Sequence, residues 1–276
     1  MEEITDKIIH EVTQIMNEIY GKDLTIYDQV FLSKSIERRI VAVNVKKSDY
    51  GLYLVKNRNE ADRLMASFNI TYTQFFRNSL TFSLLEHLIL PRLLNQKPEG
   101  TEIRIWSAGC STGQEAYSIG ILLEEMLTTA SKSMRFRIFA TDVSPEVLVL
   151  AREGIYDEEG ISNLKMKYLK KYFIKNGEMY RVNHQLKKNI DFLRYDLLDQ
   201  YSINPPESIF GDFDIIVCSN LLFYYQIDIR RTIVNKLKRS LSAQGYLISG
   251  EAESRFIGKD AELKMISPSS TIFQIH

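Results

Sequence analysis

The sequence predicts an α/β fold, with a doubly wound, mostly parallel sheet preceded by a small all-helical module. Three observations carry this. After residue 100, short apolar runs alternate with helical patterns, the β-α-β-α order that builds parallel sheets. The first 70 or so residues carry apolar side chains at helical spacing instead. A loop signal, Gln96-Lys97-Pro98-Glu99-Gly100, marks the change of character.

Element by element, Ile8, Val12, Ile15, Met16 and Ile19 form the first helical stripe. A second pattern runs from about Tyr27 to Val43, where Val41-Ala42-Val43 reads equally as strand, and a third runs from about Tyr50 to Phe68. The expected division is 1–70 as a helical domain, 71–98 as a linker and helix entering the active site, and 99–276 as the α/β domain. Within the last, Ile103 to Trp106 reads as a strand, Gln114 to Leu127 as a helix and Phe136 to Ala140 as a strand. Ser144-Pro145-Glu146 opens a helix, with Ser at the N-cap and Pro in the first turn. Phe213 to Cys218 reads as a buried strand, Ile229 to Leu241 as a helix, Tyr246 to Ser249 as a strand and Thr271 to Ile275 as a last strand. From Gly154 to Asn189 the pattern breaks into a Lys- and Tyr-rich stretch. Asn176-Gly177 there looks like a hairpin turn, so an inserted β-subdomain is expected at about 157–190.

Composition narrows the function classes. The 276 residues are 45% hydrophobic and 25% charged, with 35 basic and 35 acidic side chains. Zero formal net charge argues against a broad nucleic-acid surface. No apolar stretch approaches the roughly 20 residues that span a bilayer, so no membrane insertion is expected. The beginning, MEEITDKIIHEV, is acidic and amphipathic, unlike a signal peptide. Cys110 and Cys218 have no metal-like spacing and the four histidines are scattered, so no metal is expected and the thiols read as free. A cytoplasmic location is the expectation.

In an open parallel sheet, ligands bind outside the carboxyl ends of the strands. Three such ends are distinctive. Ser107 to Gly113 is a run of small residues leading into a helix, where a ligand can approach backbone. Thr141-Asp142 offers a carboxylate suited to two ribose hydroxyls. Ser219-Asn220 closes the third strand. Together they point to a nucleoside-containing cofactor. The turn at Gly109 to Gly113 lacks the dinucleotide fingerprint and the lysine-bearing phosphate loop. S-adenosylmethionine, with ribose and adenine but no phosphate, fits better than NAD.

Four stretches then resemble one family. TYTQFFRN (71–78), WSAGCSTGQEAYS (106–118), FATDVSPEVLVLAREGIY (139–156) and FDIIVCSNLLFYY (213–225) are similar, in order and spacing, to the signatures of CheR-type protein-glutamate methyltransferases. These enzymes esterify glutamate side chains on bacterial chemoreceptors. The resemblance covers nearly the whole chain. It implies a Rossmann-like methyltransferase domain with a small inserted β-subdomain behind an N-terminal all-α domain. It also implies methyl transfer from S-adenosylmethionine, leaving S-adenosylhomocysteine, to receptor glutamates. A glutamate is already ionised at pH 7, with an unperturbed pKa of about 4.3. The chemistry therefore needs alignment and desolvation rather than a general base.

Position by position, the resemblance implies Arg77 and Tyr224 as catalytic. Arg77 would orient a carboxylate with its planar fork, and the Tyr224 phenol would hold the incoming acceptor. Thr73, Arg77, Ala108, Gly109, Glu115, Asp142, Asp196, Leu197, Asn220 and Leu221 are the implied cofactor contacts. Asp142 serves the ribose, Asp196 lies near the adenine amine, and Glu115 and Asn220 line the methionine end. Thr112-x-x-Glu115 is also a capping-box pattern, which gives Glu115 a purely structural alternative. Phe75 and Phe76 read as packing the linker into the core.

Departures from the family pattern are Gln114, Ala116, Ser219, Thr71 and Glu251, the last within GEAES (250–254). They keep open a divergent cofactor-binding scaffold, or an enzyme for another protein substrate. The short turn Lys175-Asn176-Gly177-Glu178 predicts no tethering to a receptor-tail pentapeptide. Recognition of acidic helices in the cytoplasmic region of receptors then falls to the N-terminal module, through Arg38 and Arg39.

Overall fold

In the first unit, the apolar spacings at helical period become helices. The structure is a computed structural model describing residues 6–208, 210–268 and 270–276. Helix α1 spans Asp6–Tyr20. Asp28 caps α2 (Gln29–Val43), its Oδ1 accepting the N–H groups of Val30 and Phe31 at 3.1 and 3.2 Å. The ambiguous Val41-Ala42-Val43 run is the last turn of α2, closed by Asn44 in the left-handed conformation. The third pattern is two helices, α3 (Tyr50–Lys56) and α4 (Arg58–Ala66). Asn57 breaks it with φ −131° and ψ 86°, and its side-chain amide donates to the Tyr53 carbonyl at 2.8 Å. Val12, Met16, Leu24, Ile36, Tyr50, Leu54 and Leu64 are wholly buried at the centre of this unit. It comprises residues 1–70 together with 222–231, among them Tyr224.

Arg39 does not present its charge to a partner. It grips the buried Glu60 through Nε and Nη2 at 2.9 and 2.7 Å, and the Tyr50 hydroxyl donates to the same carboxylate at 2.9 Å. Expecting Arg39 on a docking face is therefore corrected, because a carboxylate excluded from water recruits the nearest guanidinium. Arg38 remains exposed.

The second unit comprises residues 71–221 and 232–276. It opens with α5 (Ser79–Leu84), a π-type turn over Leu85–Ile89, and α6 (Leu90–Gln96). Strand β1 (Glu102–Ala108), α7 (Gln114–Thr129), β2 (Arg135–Asp142) and α8 (Pro145–Glu153) follow. Ser144 caps α8 through its Oγ. The insert begins at β3 (Ile155–Tyr156), continues through α9 (Met166–Tyr172), and closes with the hairpin β4 (Phe173–Asn176) and β5 (Met179–Val182). Gly177, at φ +61°, turns that hairpin. Helix α10 (His184–Lys187) and β6 (Ile190–Arg194) lead to β7 (Phe213–Cys218), α11 (Ile227–Ser240), β8 (Leu241–Ser249), α12 (Glu251–Ile257), β9 (Leu263–Met265) and β10 (Ile272–Ile275). The expected helix end at Leu241 and strand start at Tyr246 shift, since Leu241 already begins β8.

The large sheet has the order β6-β2-β1-β7-β8-β10-β9. The first five strands pair in parallel, and β10 pairs antiparallel with β8 on one side and β9 on the other. The three small strands form their own antiparallel sheet, β3-β5-β4. Ile103, Ile105, Ile138, Ile215 and Ile216 are wholly buried, the continuous apolar character of strands covered on both faces. Chain order reverses between β1 and β7, so a ligand crevice belongs at their carboxyl ends.

Candidate active site

The register brings those ends level. Ala108 pairs with Thr141, Ser107 with Val217, Asp142 with Arg194, and Cys218 with Ser249. The turn after β1 is stitched to β2, because the Gly109 and Cys110 N–H groups both donate to the Thr141 carbonyl at 2.8 Å. Gly109, Ser111 and Gly113 all adopt positive φ, at 80°, 49° and 94°. Gly109 is required twice over: a Cβ there would strain the left-handed backbone and lie 3.1 Å from Leu221 Cδ2. The Ser111 N–H donates to Asp142 Oδ2 at 2.9 Å, and the Ser144 N–H to Asp142 Oδ1 at 3.0 Å. Each oxygen keeps a lone pair for another donor.

Glu115 takes no part in a capping box. The N-cap of α7 is Gly113, which offers no side-chain bond, and Thr112 Oγ1 donates to Gln114 instead. The Glu115 carboxylate points back to β1, where Ser107 Oγ donates to it at 2.6 Å. Burial pushes its pKa up to about 7; the Ser107 bond opposes this, the Glu253 charge adds to it and Arg77 lowers it. Asp142 is also raised by burial, opposed by the backbone N–H groups it accepts.

Arg77 is exposed at the end of an anchored loop. Phe75 is wholly buried, edge-on to Tyr156 and Phe173 with centroids at 5.0 and 5.5 Å. Phe76, at φ +51°, donates its N–H to Ser118 Oγ at 3.0 Å and stacks on Tyr168. The guanidinium then lies over the Tyr72 ring, 5.2 Å from its centroid, and donates to the Tyr72 carbonyl.

Arg77, Glu115 and Asn220 line one cleft of about 210 Å³, together with Ser219, Ser249 and Glu251. Its deeper wall is apolar, from Phe82, Leu85, Ile119, Val217 and Ile248. Ala108, Gly109, Asp142 and Leu221 stand at the adjoining strand ends, with the Leu221 side chain over Gly109. Thr73 is half-buried in the segment leading to Arg77. Asp196 lies in a different, open groove of about 910 Å³ beyond β6, where its Oδ1 accepts the Leu198 N–H; Leu197 beside it is buried. The Tyr195 N–H on the Asp142 carbonyl, at 3.1 Å, joins that groove to the end of β2. Tyr224 is grouped with the N-terminal helices, its ring 4.7 Å from Phe31 and 4.2 Å from Phe223.

Sequence reasoning passed over Asn78 and Glu253. Asn78 caps α5 and donates to Glu251 Oε1 at 3.0 Å at the cleft wall. Glu253 lies within GEAES as an ordinary acidic residue; that it is buried was the signal, and burial is a tertiary property.

The donor set fits S-adenosylmethionine. Ser107 is the one hydrogen-bond donor to Glu115 among the described residues, which leaves a half-buried carboxylate able to take a cationic amine. Asp142 keeps acceptor capacity for hydroxyls, and the glycine turn gives close backbone approach.

Residues 71–272 match the family described as CheR methyltransferase, SAM binding domain. The chain is 31% identical over 274 residues to the chemotaxis protein methyltransferase of Borreliella burgdorferi, covering 97% of this chain and 94% of that one. It is 31% identical over 246 residues to that of Listeria innocua, 87% of each chain. It is 29% identical over 261 residues to that of Escherichia coli, 91% of this chain and 85% of that one. A glycine turn, a half-buried glutamate and an anchored arginine at the switch point of a parallel sheet, with this family match, make the chain a member of the CheR methyltransferase family, with S-adenosylmethionine as cofactor.

Proposed function

We propose that the protein methylates glutamate side-chain carboxylates of chemoreceptors, forming methyl esters. The single observation that carries this reading is the exposed Arg77 guanidinium lining the same cleft as the half-buried Glu115 carboxylate. One group is suited to hold an acceptor carboxylate, the other a cofactor amine. S-adenosylmethionine supplies an electrophilic methyl group on a sulfonium sulfur. The chain's own residues do the rest. Arg77 orients the acceptor, Glu115 fixes the amine, Asp142 takes the ribose hydroxyls, and Asp196 and Leu197 take the base. The apolar wall of Phe82, Leu85, Ile119, Val217 and Ile248 excludes water, which raises the nucleophilicity of an already ionised acceptor. No proton has to be removed, so the site works without a general base.

For receptor contact, the exposed Lys34 and Arg38 on α2 suit acidic helices, whereas Arg39 is committed to Glu60. The short β4–β5 turn at Gly177 supports a pattern without pentapeptide tethering. The test is methyl-labelled cofactor with a receptor cytoplasmic fragment, wild type beside Arg77→Ala. The expected label is released by base as methanol and falls at least 100-fold in the variant. Base-stable label would overturn the ester reading.

A further inference from the structure

Glu253 sits on the third residue of α12 and is 2% exposed. A glutamate at that place in a capping box needs one bond, to the N-cap N–H, and Glu253 makes it, with Oε2 accepting from Gly250 at 2.8 Å. Two further bonds leave the helix altogether. Oε2 also accepts the Asn220 N–H at 2.9 Å, and Oε1 the Leu221 N–H at 2.6 Å. Both donors belong to the turn after β7. One carboxylate therefore ties the carboxyl end of β7 to that of β8.

We infer that Glu253 is a positioning residue for cofactor binding, holding the Asn220-Leu221 turn against the Gly109 turn. Asn220 stands in the left-handed region at φ +59°, a conformation asparagine adopts more readily than most residues and which the Glu253 bond to its N–H holds. Gly250 lets the two backbones close up: a Cβ there would lie 2.8 Å from Asn220 Nδ2 and 2.9 Å from Asn220 N. Leu221, fixed through its own N–H, lays its side chain over Gly109, whose backbone is tied in turn to Thr141. The chain of contacts runs Glu253, Leu221, Gly109, β2. The negative charge of Glu253 also reaches Glu115, whose proton affinity it raises. Only a carboxylate serves three donors here. A glutamine has one acceptor oxygen, and its amide would face an N–H.

The inference rests on the cofactor reading, and the experiment separates the two. S-adenosylhomocysteine is titrated by calorimetry at low temperature into wild type, Glu253→Gln and Ile257→Val, with circular dichroism confirming the fold. Ile257 is buried on the same helix and its apolar side chain can make no hydrogen bond to the turn, so its truncation loosens α12 through the core alone. Glu253→Gln is expected to bind at least tenfold more weakly and Ile257→Val like wild type. A second variant, Gly250→Ala, keeps the carboxylate and wedges a methyl between the turns; it too should lose at least tenfold. Wild-type affinity in Glu253→Gln, or in Gly250→Ala if the former does not fold, overturns the positioning role. No binding by wild type would sink the cofactor reading instead.

Discussion

Ser107 Oγ donates to Glu115 Oε1 at 2.6 Å, so the side chain that seemed ready to cap its own helix turns back to the strand before it. Burial nonetheless pushes the Glu115 pKa up to about 7, above the ordinary carboxylate range, with the Ser107 bond opposing the rise. The sign of the linkage follows. The folded protein binds more protons than the unfolded chain between the ordinary value and about 7, so stability falls as pH rises through that window and levels off above it. Ligand affinity runs the other way, because a cationic amine favours the ionised form. Affinity for S-adenosylhomocysteine should drop by up to about tenfold per pH unit below pH 7. Glu115→Gln should bind weakly with a flat profile. Calorimetry in buffers of differing ionisation enthalpy should register proton release on binding to wild type, and none with the variant.

Asp142 carries two duties at once. It accepts the N–H groups of Ser111 and Ser144, and in the proposed function it also takes the ribose hydroxyls. Asp142→Ala should weaken S-adenosylhomocysteine binding about 100-fold, counting two hydrogen bonds to a charged group at roughly 1.5 kcal/mol each. It should also lower the melting temperature, since the turn after β1 and the start of α8 lose their shared acceptor. Full affinity in a folded variant would remove Asp142 from the site.

The two arginines of α2 should behave differently. Arg39→Ala leaves Glu60 buried and unpaired, which costs about 3–5 kcal/mol. Arg38→Ala should stay within about 0.5 kcal/mol of wild type. Urea unfolding of both variants checks this. Receptor methylation should be sensitive to Arg38→Glu without loss of fold, which Arg39→Glu cannot test.

Asp214, the acidic residue of FDIIVC, is a structural group. It is 5% exposed and accepts Lys97 Nζ at 2.8 Å and the Arg104 N–H at 2.9 Å. Asp214→Ala should cost about 3 kcal/mol, leaving a buried N–H and a half-buried ammonium without their acceptor. At low temperature the folded variant should still bind S-adenosylhomocysteine like wild type, as titration would show.

What was legible in the sequence follows a physical line. β1, β2 and β7 are buried on both faces, so their apolar runs announce them. β6 escaped notice because it is an edge strand: half-buried Asp191 and Leu193 alternate with buried Ile190 and Phe192, and Asp191 is matched by Arg137 across the strand pair. The break at Asn57 rests on one amide bonded to a carbonyl, which apolar spacing cannot encode. Within the candidate site, Glu115, Arg77 and Asn220 could be named from their motifs, and the structure gathers them in one cleft. Asp196 lies in a neighbouring groove with Leu197 buried beside it, and Tyr224 is grouped with the helical unit. Glu253 depended on burial and on partners more than 30 positions away, neither of which a linear pattern contains.

The seat of Arg77 has a consequence for how such chains can diversify. Phe75 rests on Tyr156 of β3 and Phe173 of β4, and Phe76 stacks on Tyr168 of α9, so the insert is the bench on which the arginine's loop is clamped. An insert grafted from a relative to acquire a new partner would unseat that loop unless its aromatic contacts came with it. The insert is thus not a freely interchangeable cassette: any exchange must preserve the fit of two phenylalanines and three aromatic rings before it can try out a new surface.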